Sequence, residues 1–254
     1  MKKSTIGILV VSLLLVLIGA GLFTGGVFAV GGIDAAKDAL AQKGVQIDHG
    51  FQIDINHGNR AAEKSKVNDF NNSSMKFNAE DIRGLDLEAG AAEIEILEDS
   101  SAKDITVKTD GKYDIYVKNS ILYIKSNNHN DDNTLILELP SNMVFGSVDI
   151  EAGACAVEID RLETKELEVG VGAGKLLINQ ASVKECDIHV GMGSAEIYLD
   201  GSAEDYNYEI DCGAGNVQIG QESFGGLATE KYINNHAGAN VEIECGMGSV
   251  IIGF

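Results

Sequence analysis

The stretch LEVGVGAGKLLI, residues 167–178, places a Gly-Ala-Gly turn between two short runs in which apolar residues alternate with other residues. Five further copies occur: LDLEAGAAEIEI at 85–96, VDIEAGACAVEI at 148–159, CDIHVGMGSAEI at 186–197, YEIDCGAGNVQI at 208–219 and VEIECGMGSVII at 241–252. Alternation of period two is typical of a strand with one buried face. One copy is too small to bury its own apolar face, so stacked copies are favoured. The sequence therefore predicts an all-β fold, a β-solenoid.

The spacing of the copies sets the length of each predicted rung. Their first turn glycines are 63, 19, 19, 22 and 33 residues apart, a period of about 20. The step of 63 equals three steps of 21, with ITVKTD, YDIYVK, ILYIKS and LILELP interpreted as the intervening strands, and the step of 33 contains an insertion around QESFGGLATEKYINN. We predict a repeat domain over residues 81–254, with rungs of about 20 residues and G-(A/M)-G turns whose glycines permit sharp bends and close stacking. A Greek-key β-sandwich is the alternative, but it does not require one dodecapeptide to recur six times.

Residues 5–33 contain no charged residue and follow Lys2 and Lys3. This run is longer than the roughly 20 apolar residues that carry a helix across a bilayer. The positive-inside rule then places the N-terminus in the cytoplasm and the remaining chain outside. We predict a single-pass protein of the cell membrane, with residues 1–33 as its cytoplasmic N-terminus and transmembrane anchor. The alternative is a cleaved signal peptide with an apolar core at residues 6–18.

Residues 34–80 are predicted to connect the anchor to the repeats. The segment 33–44 contains Ala, Leu and Lys and ends in Gly, which favours a short juxtamembrane helix. Two alternating runs around Gly50 predict a hairpin. The polar residues 59–74 indicate a linker.

Composition and charge exclude several classes of function. The 254 residues carry 19 Lys and Arg against 39 Asp and Glu, a net charge of −20. Phosphate binding requires clustered basic residues, so nucleic acid is excluded as a partner, and docking on anionic lipid is disfavoured. The hydrophobic content of 44% excludes a disordered chain.

The repeat, the dipeptide Leu139-Pro140 shortly before VDIEAGA, and the predicted anchor together resemble a bacterial putative-adhesin β-strand repeat family. This family is a domain of unknown function that is frequent in membrane proteins of Gram-positive bacteria, and the resemblance covers about residues 81–254. The resemblance implies a β-solenoid outside the membrane with a place in envelope stress or surface adhesion. It implies no catalytic residues.

The four cysteines are Cys155, Cys186, Cys212 and Cys245. Cys212 and Cys245 directly precede a turn glycine, where other copies have Val or Ala, and Cys186 shares a column with Leu and Val. We therefore predict small buried core residues. A Cys212–Cys245 disulfide is conceivable outside the cytoplasm if their strands are adjacent. The spacing of a zinc site is absent.

The histidines and an Asn-rich run offer weaker candidate sites. His49 and His57 could meet around a metal in the predicted hairpin, but surface histidines are the default. Residues 127–133, NNHNDDN, are rich in oxygen ligands yet lack the order of a calcium loop, so a turn is favoured. The strings GVGAG and GMGSAE are interpreted as strand turns, because no helix pattern follows them. Strings typical of serine hydrolases, zinc proteases and P-loops are absent.

Outward positions before the turns form two acidic columns. The first contains Asp86, Asp149, Glu168, Asp187, Glu209 and Glu242, and the second contains Glu88, Glu151, Asp211 and Glu244, interrupted by Gly170 and His189. One interpretation is a solvated face that keeps the chain soluble. The other is a surface for a basic partner or for divalent cations, with calcium bound weakly. The candidate cation ligands are Asp86, Glu88, Asp149, Glu151, Glu209, Asp211, Glu242 and Glu244.

These observations favour a non-enzymatic binding or structural module at the cell envelope, with an unknown protein or envelope polymer as partner and no cofactor. One alternative is a membrane protein that regulates the response to envelope stress. Another is an exported β-helix enzyme that processes polysaccharides. Such enzymes usually hold the substrate in a groove of basic or aromatic residues, whereas the recurrent outward residues here are acidic and the chain has no Trp.

Overall fold

The computed structural model describes residues 45–48, 52–55, 74–126 and 133–254. Within these ranges the secondary structure consists of strands and two single 3-10 turns, Ala79–Asp81 and Ala203–Asp205. The prediction of an all-β fold is therefore confirmed. A helix of the length and apolarity that a membrane span requires does not occur among the described residues. The anchor predicted for residues 1–33, the helix predicted for 33–44 and most of the linker predicted for 59–74 lie outside these ranges.

The chain divides into two units, Met1–Asp69 and Phe70–Phe254. In the first unit, β1 (Val45–Asp48) pairs antiparallel with β2 (Gln52–Ile55), as the alternation around Gly50 predicts. The first strands of the second unit are β3 (Ser74–Asn78), β4 (Gly84–Ala89), β5 (Ala92–Asp99), β6 (Asp104–Thr109), β7 (Tyr113–Lys118), β8 (Ile121–Ser126), β9 (Asn133–Pro140), β10 (Phe145–Ala152), β11 (Ala156–Ile159) and β12 (Leu162–Val171). The remaining strands are β13 (Lys175–Ser182), β14 (Glu185–Val190), β15 (Ser194–Leu199), β16 (Tyr206–Cys212), β17 (Asn216–Ile219), β18 (Glu222–Gly225), β19 (Thr229–Ile233), β20 (Ala239–Cys245) and β21 (Ser249–Gly253).

Each copy of the dodecapeptide forms one coil, which we define as two successive strands, one in each of two parallel ladders. The strands before the turns pair in parallel as one ladder, in the order β8, β4, β10, β12, β14, β20, β16. The strands after the turns pair in parallel as a second ladder, in the order β9, β5, β11, β13, β15, β21, β17. These parallel ladders are not the antiparallel strands of a Greek-key sandwich.

Equivalent residues of neighbouring coils lie opposite one another, so inward columns of apolar side chains run through the stack. Ile188 pairs with Ile243, which pairs with Ile210, and all three are at most 1% exposed. The core consists of such columns from both ladders. The inward and outward assignment made from the alternation is therefore confirmed.

The order of the coils in space differs from their order in the chain. The sixth copy, β20–β21, lies between the fourth copy, β14–β15, and the fifth copy, β16–β17. At the other end, β8–β9 forms a seventh coil that lies beyond the first copy, β4–β5. The chain therefore returns into its own stack twice, which the assumption of successive stacking did not anticipate.

Antiparallel strands cover both ends of the stack. In the first ladder, β7 lies beside β8 and β19 lies beside β16. In the second ladder, β6 lies beside β9, β3 lies beside β6, and β18 lies beside β17. The interpretation of the 63-residue step as three equal coils is therefore wrong, since β6 and β7 serve as end strands. Antiparallel end strands protect the ladder edges from pairing with other chains.

Candidate functional site

Six carboxylates form a continuous row across the outer face of the first ladder. Each is the register partner of the next on the neighbouring parallel strand. We call this row the acidic ladder; its members, in spatial order, are Asp86, Asp149, Glu168, Asp187, Glu242 and Glu209. Strands in a sheet lie about 4.8 Å apart, so each carboxylate has a like charge as its immediate neighbour. The first column predicted from the sequence is thus one contiguous feature.

The second predicted column lies two residues along each strand, on the same face. In spatial order it contains Glu88, Glu151, Gly170, His189, Glu244 and Asp211. Gly170 and His189 separate Glu88 and Glu151 from Glu244 and Asp211. The sequence therefore placed all eight candidate ligands on one face, but the structure brings the second-column carboxylates together only in two pairs.

Tyrosines extend the acidic ladder at both ends. Tyr123 is the register partner of Asp86, Tyr116 is the partner of Tyr123, and Tyr232 is the partner of Glu209. The rings of Tyr116 and Tyr123 stack with centroids 4.9 Å apart, and Tyr116 and Tyr232 are 43% and 65% exposed. These tyrosines do not stand out in the sequence because the strands that carry them lie outside the repeat, although the alternation in ILYIKS places Tyr123 in an outward position.

Two cationic or titratable side chains contact the acidic face. Lys125 Nζ lies 3.1 Å from Glu88 Oε2 and 3.5 Å from Asp86 Oδ1, and 5.5 Å from the centroid of the Tyr123 ring. His189 Nδ1 lies 3.2 Å from Glu244 Oε2. Lys125 therefore compensates the charge at one end of the acidic ladder, where the row continues into tyrosines.

Partial burial and mutual repulsion favour the protonated form of several carboxylates. Desolvation, the largest cause, and the neighbouring charges of Glu168 and Asp86 together raise the pKa of Asp149 to about 6. Desolvation and adjacent carboxylates also raise the pKa of Glu151, Asp187 and Glu242. These carboxylates therefore hold protons more tightly in the folded chain than in the unfolded chain.

A shallow groove of about 450 Å³ lies beside the acidic ladder. Carboxylates dominate its polar lining, which includes Asp86, Asp149, Glu166, Glu168, Glu185 and Asp187. Within the described part of the chain, the Oδ1 atom of Asp149 is buried and accepts no hydrogen bond. A buried carboxylate oxygen that has no hydrogen-bond partner and lies within an acidic face favours a proton or a cation there.

The arrangement does not resemble a compact metal centre. In the ranges that the structure describes, no three His, Cys, Asp or Glu side chains are grouped so that they could hold one ion. Carboxylates in register point outward side by side, whereas calcium is held by six to eight oxygens that converge on one point. The acidic face therefore suits cations that are spread along it.

Comparison with known proteins places the chain in a family. Residues 85–220 match the family described as the N-terminal domain of toast_rack, DUF2154. The chain belongs to this family. The match includes five of the six copies, and the sixth copy, at 241–252, lies beyond it in the chain although it lies between the fourth and fifth copies in the stack.

Solved structures with low sequence identity also match the chain, each over 71% of its length. A "putative cell adhesion protein" from Clostridium sporogenes is 17% identical, with 97% of its chain covered and a TM-score of 0.44. A "putative adhesin" from Parabacteroides distasonis is 15% identical, with 96% covered and a TM-score of 0.24. Another from Parabacteroides merdae is 14% identical, with 95% covered and a TM-score of 0.25. No curated protein matches the chain.

The structure of this toast_rack-family chain describes the predicted cysteine positions but only the last residue of the Asn-rich run. All four cysteines are buried, which confirms the prediction of small core residues. His49, His57 and all but the last residue of the Asn-rich run lie outside the described residues, so their predicted roles stay predictions. Asn133, which ends that run, is buried at the start of β9, where its Oδ1 atom accepts a hydrogen bond from Tyr113.

Proposed function

We propose that the chain is a membrane-anchored, extracytoplasmic β-solenoid that acts as a non-enzymatic binding module at the cell envelope. Its binding surface is the acidic ladder together with the flanking tyrosines. The observation that supports this proposal is the continuity of the row: six carboxylates lie in register on six adjacent strands, between Tyr123 and Tyr232.

The charge of this surface selects a cationic partner. Neighbouring carboxylates about 4.8 Å apart repel by about 1 kcal/mol even in bulk water, and by more at a protein surface. A partner with ammonium or guanidinium groups relieves this repulsion, and exposed tyrosine rings add favourable contacts with such cations. A basic protein segment or an envelope polymer that carries ammonium groups fits this surface, whereas a polyanionic polysaccharide is repelled.

Over the residues that the structure describes, the outer face of the second ladder lacks a continuous acidic row, which supports the acidic ladder as the binding surface. On the second ladder the equivalent outward row contains Glu158 and Glu196, but Leu177 lies between them and Ile251 follows Glu196. Apolar residues therefore interrupt the charge of the second ladder. A continuous acidic row is a property of the first ladder alone among the described strands.

The binding proposal is tested with the full-length chain in detergent. We expect it to bind poly-lysine, with an affinity that falls as the salt concentration rises, and not to bind poly-glutamate. A triple variant, Asp149→Asn, Glu168→Gln and Asp187→Asn, should weaken poly-lysine binding at least tenfold. The matched control Glu93→Gln, Glu158→Gln and Glu196→Gln makes the same change in net charge on the second ladder. Equal loss of affinity in both variants would show that only the net charge matters.

Divalent cations are expected to associate weakly with the same surface. Calcium should raise the melting temperature at concentrations of about 10⁻⁴ to 10⁻³ M, because binding to the folded chain relieves repulsion. Sodium chloride at matched ionic strength is the control, since screening alone also stabilises the folded chain. Coincident melting curves in the two salts would leave the acidic ladder without a preference for divalent ions.

The membrane anchor is tested separately, in cells. The uncharged run 5–33 behind Lys2 and Lys3 leads us to expect that the chain stays in the membrane fraction after alkaline carbonate washing. Protease added outside the cell should digest the C-terminal domain. A soluble species that begins near residue 30 would instead identify a cleaved signal peptide.

A further inference from the structure

Two of the four buried thiols are immediate neighbours. Cys212 ends β16, Cys245 ends β20, and the two residues are register partners on these parallel strands. Both side chains point into the core and are 0% and 3% exposed. The return of the sixth copy into the stack creates this contact, because β20 lies directly beside β16.

The geometry of the pair is compatible with a disulfide. Adjacent strands hold paired Cα atoms about 4.8 Å apart, within the 4.4–6.8 Å that disulfides span. The Cys212 thiol lies close enough to contribute to the raised pKa of Cys245. The turn of the β16–β17 coil also leaves space for the Cys245 sulfur, since a Cβ atom on Gly215 would lie 2.6 Å from it.

We propose that Cys212 and Cys245 form a disulfide that fastens the terminal coil β16–β17 to the coil β20–β21 when the chain folds in an oxidising compartment. This inference rests on the extracytoplasmic location in the proposed function. The bond forms by thiol–disulfide exchange with a small disulfide or a disulfide oxidoreductase. The first thiolate attacks the oxidant to give a mixed disulfide, and the second thiolate then displaces the remaining thiol. Two protein thiols lose two electrons and two protons, and the oxidant is reduced to two thiols.

Burial determines when the bond forms. Desolvation, followed by the neighbouring Cys212 thiol, raises the pKa of Cys245 to about 12, so the nucleophilic thiolate is scarce in the folded chain. Exchange therefore takes place before the terminal coil docks, and the completed stack then shields either redox state. Oxidation closes a loop that contains β17 and the two end strands β18 and β19, so the unfolded chain loses entropy.

Cys186 provides a matched control. It is 0% exposed, but its register partners are Leu167 and Val241, so it has no thiol beside it. Cys155 lies in a turn, where its Sγ donates a hydrogen bond to the carbonyl oxygen of Ala89 at 3.2 Å. Among the described cysteines, Cys212 and Cys245 are therefore the one pair that the register brings together.

The test is refolding of the purified full-length chain in glutathione redox buffer or in excess dithiothreitol. Thiols are then counted by maleimide labelling after denaturation, and peptides are analysed without reduction. From glutathione buffer we expect two free thiols and a linked peptide pair that contains Cys212 and Cys245, with the melting temperature raised by about 5 °C. The dithiothreitol sample should contain four free thiols. Native chain exposed to the same glutathione buffer should oxidise at least tenfold more slowly than refolding chain.

The variants separate this pair from the other cysteines. Cys186→Ala should form the same bridge and show the same gain in melting temperature, whereas Cys212→Ala should retain three free thiols and show no gain. Four free thiols after oxidative refolding, or a bridge to Cys155 or Cys186, would overturn the proposal. Purified protein is used, so a failure of the membrane topology does not alter this outcome. Conversely, a chain that fails to form the Cys212–Cys245 disulfide should still bind poly-lysine, so the two proposals can fail separately.

Discussion

The turn glycines are required by the short distance between neighbouring coils. Gly172 N–H donates a hydrogen bond to the Ala152 carbonyl at 2.9 Å, which holds the two turns together. A Cβ atom on Gly172 would lie 2.7 Å from the Gly153 carbonyl oxygen of the neighbouring turn. The repeat glycines do not adopt the left-handed conformation, which occurs among the described glycines at Gly201, Gly220 and Gly226. Close stacking, rather than an unusual backbone angle, therefore explains this column of glycines.

Gly172→Ala should lower the free energy of unfolding by about 2 kcal/mol, because the added methyl group overlaps backbone atoms that cannot rotate away. Gly238→Ala is the control, since an added Cβ there meets nothing within 4 Å. Urea unfolding of both variants checks this expectation. Equal stability of the two variants would contradict the stacking explanation.

At the scale of the strands, the position of β20 between β14 and β16 determines which side chains are neighbours. Asp187 is the register partner of Glu242, and Glu209 lies on the far side of Glu242. Stacking in the order of the chain would instead place Glu209 beside Asp187. The two strand orders bury equivalent columns of apolar side chains. They differ in which outward carboxylates are neighbours.

A double-mutant cycle distinguishes the two strand orders. We expect Asp187→Asn and Glu242→Gln to be coupled by about 0.5 kcal/mol, because each change relieves a repulsion that involves the other residue. Asp187→Asn and Glu209→Gln should be nearly additive, since their side chains are two strands apart. Stability is measured by urea unfolding at low salt. Coupling of similar size in the second cycle would contradict the observed order.

At the scale of the whole molecule, the folded chain concentrates negative charge on one face. The net charge is −20, and the acidic ladder brings six of the carboxylates onto neighbouring strands. The resulting rise in the pKa of Asp149, Glu151, Asp187 and Glu242 has a consequence for stability. Folding favours the protonated forms of these carboxylates. At pH values between their unfolded-state and folded-state pKa values, the folded chain therefore binds more protons than the unfolded chain.

We therefore expect the free energy of unfolding to fall as the pH rises through the window between 3.8, the ordinary pKa of Asp, and about 6, the pKa of Asp149 in the folded chain. This direction is opposite to that of carboxylates engaged in salt bridges, whose folded-state pKa is lowered. Thermal melts from pH 4.5 to 7.5 at constant ionic strength measure the effect. A stability that increases over this range would contradict the assigned direction.

Asp149→Asn tests the central contribution to this pH dependence. The variant should be more stable than the parent by about 1 kcal/mol at pH 7.5, after allowance for solvent screening, and nearly equal to it at pH 4.5. Glu93→Gln is the matched control, because Glu93 is exposed on the second ladder between Thr134 and Ala156. The control should change stability little at either pH.

The all-β fold, the inward and outward faces and the membership of the acidic columns all follow from the order of the amino acids alone. Period-two alternation assigns each residue of a copy to one face, and the shared turn glycine aligns Asp86, Asp149 and Asp187 without knowledge of the structure. Alternation and turn glycines are local features of the sequence, so they can be recognised without knowing which strands are neighbours. The same reasoning located Cys212 and Cys245 in one column.

Which copies are neighbours, and which strands end the stack, became known from the folded chain. All six copies present similar apolar faces and share the first glycine of the turn, so any order of coils buries nearly the same surface, and the repeat cannot specify the position of β20. The end strands β6, β7, β18 and β19 likewise have alternation that fits a parallel or an antiparallel partner. Their direction depends on contacts with the end coils, which are distant in the chain. For this reason the continuity of the acidic ladder, its flanking tyrosines and the adjacent thiols emerged from the fold.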